Sequence, residues 1–244
     1  MRRHTVGWIL VGSLFLVLNI VWPVASAPPK KGAAEPPPQG QQAAPQSQGD
    51  AETKVAKVEG FRSAHFGMTE AQVLEAIRVD FKITKDAVVR ETNDIERISS
   101  IAITVNDLLP GSGLAQVAYL FGYKSKKLMQ VNIFWGKPVN PNPDAASLKM
   151  AASLLRNYFA QQGFHSEKVL MNAQLKDGRF VVFRGTDEKD RAVLLVLDLP
   201  RDGAEPEAQK AQGAAAPGRD PSLQLSYIEN ANSPDIFRIK DGQF

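Results

Sequence analysis

The sequence contains no cysteine and only three histidines among its 244 residues. Without cysteine the chain can form no disulfide, thiolate metal site, cysteine nucleophile or lipid-modified cysteine, so its stability depends on packing alone. It also lacks a strong excess of either charge. Removing Arg2 and Arg3, which lie in a segment that export would cleave off, leaves 27 basic and 26 acidic residues. We therefore expect no nucleic-acid partner.

Residues 1–27 have the pattern of a signal peptide or an N-terminal membrane anchor. A basic start is followed by the almost wholly apolar residues 6–24 and by the small-x-small cleavage site Ala25-Ser26-Ala27. About 20 apolar residues also suffice to span a bilayer, so an uncleaved anchor is the alternative. Both interpretations predict a periplasmic or otherwise exported domain, attached to the inner membrane through residues 6–24 in the second case.

Two compositionally biased segments divide the rest of the chain. Residues 28–58 are rich in proline, glutamine and alanine and begin with a stretch almost free of large apolar side chains, which predicts a disordered tether. Residues 59–244 then form a single domain. A low-complexity segment at residues 201–221 interrupts it, and we interpret this segment as a surface loop because the part that follows is too short to fold alone.

Helix and strand patterns alternate within the domain. Thr69 and Gln72 form a capping box ahead of a helical apolar stripe, and three strand patterns with period-two alternation follow. A second helix is predicted to open at Asn142-Pro143 and to end near Gly163, with Phe164 folding back onto the helix. Its four following strand patterns cover residues 168–175, 179–184, 192–199 and 223–229.

This order predicts an α+β fold in which an antiparallel sheet carries two main helices on one face. The strand patterns at residues 117–123 and 129–135 should pair as a hairpin across residues 124–127, with the aromatic side chains on one face. Because a helix is followed by strands twice, the sequence also favours two related helix-plus-strands halves.

Three local patterns resemble parts of catalytic or metal-binding motifs, but each lacks other residues that its motif requires. His65 and His165 belong to no H-E-x-x-H pattern, and Gly111-Ser112-Gly113 lacks the remainder of a nucleophile elbow. The acidic residues of the segment 187–190 resemble half of a calcium loop without its glycine and terminal glutamate. We therefore predict structural or surface roles here, with no catalytic residue, metal or cofactor.

The candidate binding site is a cluster of lysines at one hairpin tip. Lys124, Lys126 and Lys127 lie next to Tyr123 in the sequence and could contact phosphate-bearing lipid or an acidic partner surface. The alternative is that these lysines only discourage edge-to-edge aggregation of the sheet, which is a common role of charged residues at turns.

The run HFGMTEAQV at residues 65–73 resembles the aromatic-Gly-Met-Ser/Thr-x-x-x-Val helix opening of small exported bacterial proteins. Among these proteins are the BamE (SmpA/OmlA) outer-membrane assembly factors. The resemblance implies a helix that packs on an antiparallel sheet, and a module that acts through protein or lipid contacts without catalysis. The whole chain also looks like an exported envelope protein of Gram-negative bacteria.

The sequence thus favours a non-catalytic envelope protein that binds a protein, lipid or cell-wall partner. An exported hydrolase is the first alternative, with a carboxylate and a histidine that meet only in the folded chain. A module that inhibits a periplasmic enzyme is the second.

Overall fold

The computed structural model describes residues 55–199, 220–239 and 242. The predicted signal or anchor at residues 1–27 and residues 28–54 of the predicted tether lie outside the described residues. Residues 200–219, which include most of the predicted low-complexity loop, also lie outside them.

The described chain forms two helices and ten strands. The helices are α1, Glu70–Phe81, and α2, Ala145–Ala160. A short hairpin comes first and eight longer strands follow it: β1 Gly60–Phe61, β2 Ala64–His65, β3 Val89–Asn93, β4 Ile98–Asn106, β5 Leu114–Phe121, β6 Leu128–Trp135, β7 Val169–Gln174, β8 Phe180–Thr186, β9 Ala192–Asp198 and β10 Ser222–Ile228. Single 3-10 turns precede β3 and β7.

The start of α1 confirms the predicted capping box. The backbone N–H of Gln72 donates to Thr69 Oγ1, and the backbone N–H of Thr69 donates to Gln72 Oε1 at 2.9 Å. Two of the helix's free N–H groups are satisfied in this way without any distant contact. The helix ends at Lys82, which adopts a left-handed conformation with φ 60°.

The predicted start of α2 at Asn142-Pro143 is wrong by two residues. Asp144 is the N-cap, because its carboxylate accepts hydrogen bonds from the backbone N–H groups of Ala146 and Ser147. The carboxylate of an aspartate N-cap accepts hydrogen bonds from the free backbone N–H groups at the helix start. A proline at the first helical position only lacks an N–H of its own and accepts no such bond. Phe164 contacts Phe183 on β8, whose ring also stacks on Phe159 of α2.

Eight strands form one antiparallel sheet in the order β3-β4-β5-β6-β10-β9-β8-β7. The predicted hairpin of β5 and β6 is confirmed, with Val117 opposite Ile133 and Tyr119 opposite Val131. In each half of the sheet a helix precedes four strands, and β6 and β10 pair at the centre. The fold is therefore α+β, with strands as its larger part.

Three of the strands, β1, β2 and β3, were not predicted from the sequence. β3 is a polar edge strand whose apolar residues do not alternate clearly, and it pairs with β4 alone. β1 and β2 contain two residues each, too few to show a period. Their hairpin nevertheless contributes to the core, since Phe61 contacts both Phe81 of α1 and Tyr227 of β10.

The main core combines the inner residues of both helices with one set of alternating sheet residues. From α1 it takes Val73, Ala76 and Ile77, and from α2 it takes Leu148, Ala151, Ala152 and Phe159. Trp135 on β6 is buried in the same core, where its indole N–H donates to Ser112 Oγ at 3.2 Å. Ser112 Oγ also donates to the C=O of Leu109 at 2.7 Å and accepts from its N–H, so Ser112 acts as a turn residue, as the sequence predicted.

Candidate functional site

The turn between β5 and β6, residues 122–127, carries the predicted lysines, and we call it the β5–β6 tip. Its three lysine side chains are exposed, and Tyr123 is half-buried beside them. None of the three ammonium groups forms an ion pair with a carboxylate among the described residues. The structure thus brings all four predicted residues together on one surface with the lysine charges available.

The backbone of the tip is organised by an aspartate from the far end of the chain. The carboxylate of Asp235 accepts hydrogen bonds from the backbone N–H groups of Lys124, at 3.1 Å, and Ser125, at 2.8 Å. The backbone C=O of Asp235 accepts a further bond from the N–H of Tyr123 at 2.7 Å. These bonds satisfy three consecutive donors that no strand partner can reach, so they hold the turn in one conformation.

Residues 229–239, which we call the C-terminal strap, cross the ends of the central strands. The N–H of Glu229 donates to the C=O of Met129, and the N–H of Phe237 donates to the C=O of Glu96 in the β3–β4 turn. The strap therefore runs from the start of β6 to the β3–β4 turn, and the β5–β6 tip lies between these two attachment points.

Two aromatic rings lie between two cationic groups at this end of the sheet. The Tyr123 ring meets the Phe237 ring edge to face at 5.6 Å, and Lys126 Nζ lies 5.5 Å from the Tyr123 ring centroid. The Arg97 guanidinium stacks over the Phe237 ring, 4.0 Å from its centroid. Such contacts favour cations over aromatic faces, so Arg97 extends the positive surface of the tip.

Three carboxylates moderate the charge of this region. Burial would raise the pKa of Asp235, but the hydrogen bonds from Ser125 and Lys124 and the Lys124 charge outweigh it and lower the pKa. Burial raises the pKa of Glu96 against the opposing effect of Arg238. Burial likewise raises the pKa of Glu229. Asp235 is thus the acid best stabilised in its charged form here.

Gly122 shows how closely the tip fits Asp235. A Cβ atom at this position would overlap Asp235 Oδ2 and would lie 2.6 Å from Ser125 Oγ. Any side chain at residue 122 would therefore displace the carboxylate or the hydroxyl that holds the turn. Asp235 and Phe237, from the strap, and Arg97, from the β3–β4 turn, could not be predicted as part of this site, because no local sequence pattern marks them.

The histidines do not form the site that the hydrolase hypothesis requires. His65 is exposed on the short first hairpin. His165 Nε2 lies 3.8 Å from Glu188 Oε1, with both side chains more than half exposed. This pair has neither the short hydrogen bond nor the burial that favours a tuned general base, so the geometry does not support this alternative.

The acidic segment at residues 187–190 is a hairpin turn, as the sequence predicted. Asp187 is buried, and its carboxylate accepts hydrogen bonds from the backbone N–H groups of Lys189, at 2.8 Å, and Arg191, at 3.0 Å. A third bond comes from the N–H of Val58 at 2.9 Å. Among the described residues, no group of three or more His, Asp or Glu side chains is arranged to hold a metal ion.

The start of the described chain lies against the domain through this turn. Ala56 and Val58, which the sequence analysis places in the tether, are buried, and the N–H of Ala56 donates to the C=O of Gly163. Within residues 55–199 and 220–239, no helix is long and apolar enough to cross a membrane.

Comparison with protein-family models, curated proteins and solved structures finds no significant match to this chain. Functional inference therefore rests on the residues of the chain itself.

Proposed function

We propose that the chain is a non-catalytic, exported envelope protein whose β5–β6 tip binds an anionic surface. The observation that carries this proposal is a turn held by Asp235 whose three exposed lysines form no ion pair among the described residues. A pre-organised turn loses little conformational freedom on binding, and Lys126 lies beside the Tyr123 ring. Anionic phospholipid headgroups are the ligand that this combination of charge and aromatic contact fits best.

Three further features belong to the same proposal. The N-terminal pattern supports export to the periplasm, with residues 6–24 as cleaved signal or retained anchor. We also propose that both helices cover one face of the sheet and that the two halves are related, since α1 and α2 share one core. A function through lipid or protein contacts agrees with the resemblance of residues 65–73 to BamE-like modules.

The test compares two triple variants of equal net charge by sedimentation with vesicles. K124E/K126E/K127E reverses the charge of the three lysines of the tip, whereas K85E/K176E/K189E reverses the charge of three exposed lysines on other turns. A lysine near an anionic membrane contributes about 1 kcal/mol, so we expect the tip variant to lose at least about a hundredfold in affinity. The vesicles contain phosphatidylglycerol and phosphatidylethanolamine, with phosphatidylcholine vesicles as the neutral control.

Equal losses in the two triple variants would show that only net charge matters and would contradict a tip-specific site. In another outcome, the wild-type protein binds neither kind of vesicle but crosslinks in cells to an acidic protein through Lys126. That result would assign the tip to a protein partner instead of lipid. Recovery of the chain with an intact N-terminus from the cytoplasm would contradict export.

A further inference from the structure

The turn between β3 and β4 exposes an isoleucine. Ile95 is 84% exposed, more than any other large apolar side chain in the part of the chain that the structure describes. The turn has a defined conformation, because the backbone N–H groups of Ile95 and Glu96 both donate to Asn93 Oδ1 at 3.0 Å. A single exposed aliphatic side chain is common in proteins, so its surroundings decide what it means.

This turn lies at the same end of the sheet as the β5–β6 tip. β4 pairs antiparallel with β5, with Ser99 opposite Phe121, so the two turns are neighbours. The strap reaches the β3–β4 turn through the N–H of Phe237, which donates to the C=O of Glu96 at 2.8 Å. Ile239, two residues after Phe237, is 60% exposed. Two exposed aliphatic side chains therefore lie at the end of the sheet that carries the lysines.

Exposed cations lie beside these aliphatic side chains. Arg97 belongs to the same turn as Ile95, and Arg238 lies between Phe237 and Ile239 in the strap. Neither arginine forms an ion pair with a carboxylate among the described residues. Together with the three lysines of the tip, they surround the aliphatic side chains with positive charge.

The two turns and the strap also contain acids, most of which are partly covered by the protein. Asp235, Glu96 and Glu229 are half-buried. Asp235 accepts the N–H groups of the tip, and Glu96 accepts a hydrogen bond from Asn93 Nδ2 at 3.1 Å. Asp94 is exposed next to Ile95 and opposes the binding of an anion. Its charge is outnumbered by the exposed cations around it.

This combination favours a bilayer over a soluble anion. A free phosphate would contact the cations alone and would gain nothing from an exposed isoleucine. A bilayer presents anionic headgroups directly above an apolar layer, so one surface satisfies both kinds of side chain. The Tyr123 ring, which lies among the cations, is of a type enriched at the level of the headgroups.

We propose that Ile95 inserts into the apolar layer of an anionic bilayer when the β5–β6 tip lies on its headgroups. The proposal rests on the binding of the tip to anionic lipid and names the bilayer itself, rather than a separate headgroup or phosphate, as the ligand. The lysines and arginines then lie at the level of the phosphates, and Ile95 extends beyond them.

The first experiment measures the depth of residue 95. The full-length I95W chain is mixed with phosphatidylglycerol vesicles whose acyl chains carry bromine, which quenches tryptophan fluorescence at short range. We expect about twofold more quenching than for the wild-type chain, whose own tryptophans give the background, because an inserted residue lies about 5–10 Å below the headgroups. The readout is local, so it applies whether residues 6–24 are cleaved or retained.

M171W is the matched control. Met171 is 46% exposed on β7, at the opposite edge of the sheet from β3. M171W should be quenched no more than the wild-type chain. Circular dichroism and urea unfolding show that each variant keeps the fold, which we expect because both positions are exposed.

Affinity for the same vesicles gives a second measure. Removing a buried aliphatic side chain from the bound state should make I95S bind at least about tenfold more weakly than wild type. D94N should bind about fivefold more tightly, because it removes the exposed acid beside Ile95. M171S should bind like wild type.

The outcomes separate this inference from the proposed function. If binding depends on the lysines of the tip but I95W is quenched no more than M171W, the insertion of Ile95 is overturned and the lipid-binding proposal stands. If the wild-type chain does not bind phosphatidylglycerol vesicles, both proposals are overturned.

Discussion

Asp187 and Asp235 fasten the two ends of the described domain to two different hairpin turns. Asp187 lies in the β8–β9 turn and accepts an N–H from Val58 near the chain's start, whereas Asp235 lies in the C-terminal strap and accepts N–H groups from the β5–β6 tip. Asp187 is buried and organises its own turn, while Asp235 is half-buried and organises a turn from outside.

A carboxylate that accepts backbone N–H bonds in a turn can therefore serve two purposes in one protein. A carboxylate that accepts several backbone N–H bonds stabilises a turn strongly, because each bond is charge-assisted. The Asp187 carboxylate is buried in the domain, so we expect its main effect to be on the free energy of unfolding. The Asp235 carboxylate shapes an exposed basic surface, so its effect on the free energy of unfolding should be smaller and its effect on binding larger.

The largest effect should come from D187A. It removes a buried charged acceptor from three backbone N–H groups, which should lower the free energy of unfolding by about 3 kcal/mol. Urea unfolding followed by tryptophan fluorescence measures this change. E188A is the matched control in the same turn, since the Glu188 side chain is 67% exposed and its loss should cost less than about 0.5 kcal/mol. Similar losses in both variants would contradict the anchoring role of Asp187.

G122A tests the fit between the β5–β6 tip and the strap. Its Cβ must displace Asp235 Oδ2 and Ser125 Oγ, so we expect a loss of about 2 kcal/mol. In a D235A background the same substitution should cost less, because one of the two overlaps is gone. A double-mutant cycle from urea unfolding measures this coupling, and full additivity would show that Gly122 and Asp235 are independent.

The smallest effect should come from D235N, which keeps the shape but removes the charge, with a loss of about 1 kcal/mol at neutral pH. Since folding lowers the pKa of Asp235, its charge stabilises the native state above the unfolded value of about 3.9. That contribution disappears as pH falls through the lower, folded pKa. The stability difference between wild type and D235N should therefore shrink below about pH 4. A difference that stays constant from pH 7 to pH 3 would contradict this role.

Much of the local structure could be predicted from the sequence. The capping box of α1 involves residues three apart, and the β5–β6 hairpin follows from alternation on either side of one turn. Both depend on contacts between near neighbours, which the order of residue types records. The edge strand β3 and the exact start of α2 were missed or displaced, because weak alternation and two competing start signals leave the pattern ambiguous there.

The absence of cysteine chemistry, the helices, most strands and the position of the lysine cluster all follow from the order of residue types along the chain. The folded chain alone establishes how that cluster is held, since Asp235 and Ser125 are 110 positions apart, and Val58 and Asp187, which hold the other turn, are 129 apart. It also decided that Met150, Leu154 and Tyr158 lie outside the core. Helical periodicity shows which residues share a side of a helix, but which side the sheet covers depends on contacts between distant elements.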